Sequence, residues 1–107
     1  ISILLPYKEN FSPEYAGAVS LFVKDTTNIS SFKRQITVYG NTNFKRKYKI
    51  NYKNISLKKK FLNSTSKRYI EEFLNSEIRN PSDLIEVHNR PIYIRPIYEK
   101  LKKNIIL

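Results

Sequence analysis

Cysteine and tryptophan are absent from this 107-residue chain, and glycine occurs only twice, at Gly17 and Gly40. Without cysteine there is no disulfide framework and no thiolate metal site, and a reducing cytoplasm suits the chain. His88 is the single histidine, so no H-x-x-x-H pair exists and no nucleophilic triad is recognisable. Neither a G-x-G-x-x-G fingerprint nor a P-loop is present. No apolar run approaches the roughly 20 residues of a membrane-spanning helix. The opening run, ISILLPY, is short and lacks a basic leader, so a signal peptide is not expected. Acidic residues are scarce as well: 9 against 20 lysines and arginines, for a net charge of +11.

That charge has two readings. It suits a polyanionic partner. It also follows from a general bias, since lysine, isoleucine and asparagine are all abundant while glycine is scarce. An apolar share of 40% is enough for a globular core and too high for a disordered chain, so one domain is expected. The chain opens at Ile1 inside an expected strand and closes inside another, which reads as a fragment.

The hydrophobic pattern sets out the elements. Residues 1–7 read as a buried strand closed by Pro6. From Gly17 to about Ser30 the positions Val19, Phe22, Val23 and Ile29 share a helical face. Ser12, Pro13 and Glu14 form a competing helix start, which would bury Gly17 mid-helix at a cost of about 1 kcal/mol. The start at Gly17 is therefore favoured. QITVY at 35–39 is a β-branched strand ended by Gly40 and Asn41. Alternation of Tyr48, Ile50 and Tyr52 predicts a strand over 48–52. Ser64 or Ser66 caps a helix reaching Glu77, with Ile70, Phe73 and Leu74 inward. DLIEVH at 83–88 is a further buried strand. Pro91 opens a last helix through Lys102, in which Pro96 either kinks the helix or marks its true first turn. NIIL at 104–107 begins one more strand. Strands alternating with helices predict an α/β, Rossmann-like parallel sheet with helices on both faces.

In such sheets ligands bind beyond the carboxyl ends of the strands. Gly17 at a helix start would let a phosphate or sugar approach backbone N–H groups, or else it serves close packing or a plain turn. His88, after a buried strand, suits hydrogen bonding to a hydroxyl or general-base work, or a structural role. Asn89 and Arg90 beside it form a polar cluster. The stretch FKRKYKINYKNISLKKK, residues 44–60, carries eight basic side chains among aromatics. It would bind single-stranded nucleic acid or anionic lipid, or simply be a solvated loop.

Three segments, ISILLPYKENFSPEYAGAVSLFVKD, ITVYGNT and DLIEVHNRP, resemble the amino-terminal domain of the retaining nucleotide-sugar glycosyltransferases of family 4, which have the two-domain GT-B fold. The resemblance is strongest at the two ends and slight across 41–80. It implies that Ala16 and Gly17 stand where the family has a glycine pair, with alanine replacing the first glycine and Gly17 beside the donor diphosphate; Ala18 follows in the same approach segment. It carries His88 over as a cleft residue; Tyr7, Lys8, Asn89 and Arg90, at the same strand ends, are expected beside it on the acceptor side. It assigns no catalytic residue within the chain; a further cleft histidine, the donor-gripping basic pair and a carboxylate would lie past Leu107, mostly in a second domain. The implied activity is sugar transfer from a nucleotide diphosphate donor to a glycan or lipid-linked acceptor, with no cofactor or metal. These 107 residues alone would be inactive. The basic patch of Lys45, Arg46, Lys47, Lys49, Lys58, Lys59 and Lys60 is expected to dock on an anionic cytoplasmic leaflet. A basic α/β module for nucleic acid is the alternative, and a non-catalytic interaction domain a third.

Overall fold

The computed structural model describes residues 1–57, 65–102 and 104–106. Five parallel strands form one sheet: β1 (Ser2–Leu4), β2 (Thr37–Gly40), β3 (Tyr52–Asn54), β4 (Leu84–Val87) and β5 (Asn104–Ile106), in the order β3-β2-β1-β4-β5. Three helices accompany them: α1 (Ala18–Ile29), α2 (Thr65–Arg79) and α3 (Ile94–Leu101). The fold is the expected Rossmann-like one, with helices on both faces. Among the described residues no helix is long and apolar enough to cross a membrane.

Alternation along β1 builds both cores, because successive strand side chains point to opposite faces. Leu4 joins Tyr39, Ile85 and Val87 under Tyr69, Ile70 and Phe73 of α2 and Ile97 of α3. Ile3 and Leu5 join Val38 and Ile36 under Val23 of α1. Fully buried side chains such as Leu4 and Phe73 each contribute about 2–3 kcal/mol. Phe11, also fully buried, fills the second core from the loop that precedes α1.

A buried carboxylate fastens α2 to the sheet. Glu77 accepts hydrogen bonds from the Ser2 hydroxyl, and from the Ser82 amide at 3.0 Å and its hydroxyl at 2.8 Å. The Tyr69 hydroxyl donates to the Leu5 carbonyl at 2.7 Å, and burial pushes its pKa up.

Several boundaries differ from the sequence reading. The strand expected over 48–52 begins only at Tyr52: the Ile50 amide bonds the Tyr48 carbonyl at 2.9 Å, a local turn that excludes ladder pairing there. Tyr48 and Ile50 pack on the second core instead, occupying the sheet face where a crossover helix would lie. In α1 the buried positions are Ser20, Val23 and Thr27, whereas Phe22 and Ile29 are 57% and 87% exposed. Phe11, stacked on Tyr52 at 5.3 Å and edge-on to Tyr48 at 5.0 Å, fills the same core, and α1 turns a smaller, partly polar face toward it. Ser12, Pro13 and Glu14 form a local turn, with the Glu14 amide donating to Ser12 Oγ at 3.1 Å, and α1 begins after Gly17. Pro91 opens a short 3-10 turn that runs directly into α3, and Pro96 sits in the first turn of that helix. Proline is tolerated there because first-turn N–H groups lack helical partners. The expected cap Ser64 lies outside the described residues; Ser66 falls inside α2.

Candidate functional site

The chain order reverses between β1 and β4, which lie side by side at the centre of the sheet. In open α/β sheets such a reversal marks the place, outside the carboxyl ends of the two strands, where ligands bind. The His88 amide donates to the Leu4 carbonyl at 3.1 Å, so the two exits are tied together as they leave the sheet.

After β1 the chain makes a tight turn, with the Glu9 amide donating to the Pro6 carbonyl at 3.1 Å and Lys8 at φ 66°. This left-handed residue carries the chain from one face to the other. Before it, Tyr7 packs edge-on against Tyr69 at 5.4 Å and donates its amide to the Tyr93 hydroxyl at 3.3 Å. After it, Glu9 and Phe11 belong to the α1 face. The Lys8 ammonium lies 5.7 Å from the centre of the Tyr7 ring.

Gly17 is the N-cap of α1, with φ −78° and ψ 169°. This is ordinary extended backbone, so glycine is not needed there for its conformational freedom. Space explains it better. A Cβ at Gly17 would collide with the Glu9 carboxylate, which accepts a hydrogen bond from the Ser20 amide at 3.0 Å. The amino terminus of α1 thus holds an anion from its own chain, where the helix dipole favours one. Ala16 is half-buried and Ala18 exposed beside it. Glu9 was not singled out in the sequence; an acid shortly before a glycine-started helix is the signal that could have revealed it.

His88 leaves β4 on the α1 face. Its Nε2 pairs with the Glu86 carboxylate, and its ring lies 5.9 Å from that of Phe22. In the neutral imidazole, donation from Nε2 to this carboxylate leaves Nδ1 as an acceptor. Asn89 follows at φ 55°, and both it and Arg90 are exposed; the Arg90 guanidinium donates to the Asn89 carbonyl at 2.8 Å. The structure therefore places His88 and Gly17 on one face of the sheet and Tyr7 on the other. All stand at the same rim.

The basic stretch is not one patch. Thr42 anchors its start: its hydroxyl accepts from the Phe11 amide at 3.0 Å and lies 2.7 Å from the Tyr52 hydroxyl. Burial raises the Tyr52 pKa, and the Thr42 hydrogen bonds offset part of that rise. Phe44 stacks on Tyr15 at 5.5 Å, and Tyr15, with φ 52°, is 84% exposed. Lys45 and Arg46 are exposed beside this pair, while the Lys47 ammonium donates to the Phe44 carbonyl at 2.9 Å. Because β3 runs parallel to β2, the chain must return to the amino-terminal rim, which carries Lys49 away from residues 45–47. Lys58, Lys59 and Lys60 lie outside the described residues.

Chemically, the carboxyl rim holds a helix terminus whose anion position the Glu9 carboxylate fills, the His88 imidazole, and exposed Asn89 and Arg90 for hydroxyls or phosphate. Comparison with protein-family models, curated proteins and solved structures finds no match.

Proposed function

We propose that this chain is the acceptor-side domain of a cytoplasmic retaining glycosyltransferase of GT-B type. With a donor-binding partner domain it would move a sugar from a nucleotide diphosphate to a glycan or lipid-linked acceptor. One observation carries the reading: the switch point between β1 and β4 gathers the α1 terminus at Gly17 and the His88 cluster at a single rim. The helix end would face the donor diphosphate, and Glu9 must then leave it, because two anions cannot share one terminus. Lys8 and Tyr15, both left-handed, bracket the segment that would move. His88, Asn89 and Arg90 would meet acceptor hydroxyls, with Glu86 holding the imidazole tautomer.

The test is transfer from a panel of nucleotide sugars by the protein that unites this chain with a donor domain. His88→Ala should lower the rate, and Glu9→Ala should lower the donor KM. Absence of transfer from every donor, together with unperturbed amide signals at Gly17 and Ser20 on adding nucleotide diphosphates, would overturn the reading.

A second observation favours docking on an anionic membrane face: the exposed Tyr15, stacked on the half-buried Phe44, sits beside Lys45 and Arg46. Aromatic rings suit the headgroup level, and two basic residues near the surface supply roughly 2 kcal/mol. Binding to anionic vesicles should fall with added salt and vanish on charge reversal at these two positions. Tighter, sequence-independent binding to single-stranded nucleic acid would favour the polyanion-binding module instead.

A further inference from the structure

The opposite rim of the sheet has a site of its own. Between α1 and β2 a 3-10 turn, Lys33–Gln35, brings Lys33 and Arg34 to the amino-terminal ends of the strands. The return segment before β3 brings Lys49, Ile50 and Asn51 to the same place. Together these residues line an open concavity of about 550 Å³ with no acidic side chain in its lining. That volume lies within the range of small-molecule sites, roughly 300–1,000 Å³.

The two walls are locked to each other. The Asn51 side-chain amide donates to the Arg34 carbonyl at 3.4 Å, and the Asn51 carbonyl accepts from the Val38 amide at 2.8 Å. Ile50, half-buried against the second core, holds the backbone beside Lys49. Among the described residues none of the three cations has an ion-pair partner. Three like charges held around one hollow repel one another, and a multivalent anion relieves that repulsion. A guanidinium with two ammonium groups fits two linked phosphates, the Arg fork taking one bidentately. Ile50 offers apolar surface to an organic group carried by them.

We infer that Lys33, Arg34 and Lys49 form a binding site for a small diphosphate-bearing molecule, at the rim opposite the proposed transfer cleft and independent of it.

The test uses sodium pyrophosphate with the 107-residue chain, followed by calorimetry and by amide NMR. Saturable binding should appear at millimolar or lower concentration, weaken as salt rises, and shift the Ile50 and Asn51 amides. Arg34→Glu and Lys49→Glu should each weaken it roughly tenfold or more, while Lys45→Glu and Arg46→Glu leave it unchanged. All four side chains except the stems are solvent-facing, so melting temperatures should stay level and confirm that the variants fold. Non-saturable binding, equal loss on Lys45→Glu, or shifts confined to Ala18 and Ser20 would overturn the proposal. Sulfate binding as tightly as pyrophosphate would overturn the diphosphate assignment.

Discussion

Glu9 and Gly17 are matched: the carboxylate that accepts from the Ser20 amide at 3.0 Å lies where a Gly17 side chain would begin. The glycine makes room for the cap. Because the colliding atoms are the far end of a flexible side chain, a larger residue at 17 would expel Glu9 and leave the backbone intact.

Gly17→Ala should therefore cost about 1 kcal/mol in urea unfolding, the usual value of a lost helix cap. Glu9→Ala should cost a similar amount. The double variant should lose little more than either single one, because both remove the same interaction. Strict additivity would show that Gly17 and Glu9 act separately.

His88→Ala should cost about 1 kcal/mol or less, since its pair with Glu86 is partly exposed, at 16% and 30% of the two side chains. If the proposed transfer cleft is right, the same change should reduce transfer by a far larger factor in the protein that unites this chain with a donor domain. A loss of melting temperature with kinetics spared would make His88 a purely structural residue.

Tyr69 links stability to alkaline pH. Burial raises its folded pKa above the ordinary value near 10. Above about pH 10 the unfolded chain releases this proton while the folded chain keeps it. The Tyr69 contribution is thus whole below that pH and is lost as pH rises toward the folded pKa, by at most about 1.4 kcal/mol per pH unit. Tyr69→Phe should flatten the alkaline slope of urea-unfolding free energy. At neutral pH it should cost about 1 kcal/mol, for the bond to the Leu5 carbonyl.

Glu77→Ala should destabilise by about 2–3 kcal/mol, because it strips acceptors from Ser2 and Ser82 at a buried junction. Glu77→Gln, which keeps one carbonyl acceptor, should recover about half. Equal losses in the two variants would point to packing rather than hydrogen bonding.

Much of the fold was legible from residue order. The buried runs at 1–7 and 83–88 and the β-branched run at 35–39 located three strands. The helical spacing after Gly17 and after Ser66 located two helices, and alternation of the two gave the parallel class. These signals are local: hydrophobic period and breaker residues act within a few turns of chain. They also put Gly17 and His88 at strand or helix ends, and so at the rim where the candidate site lies.

Chain path decided the rest. The face assigned to Tyr7 depends on the left-handed turn at Lys8, and the second core is completed by Phe11, which reaches Tyr48 and Tyr52 from a loop far earlier in the chain. The basic stretch is divided because a parallel strand pair without a crossover helix must send its connection back across the sheet face. Glu77 reaches Ser2 across 75 positions, and Glu9 reaches an amide 11 residues away. Periodicity says that a residue is buried and on which side of its own element. It carries no information about which distant group stands opposite, because that is set by how the elements cross and pack once the chain has closed on itself.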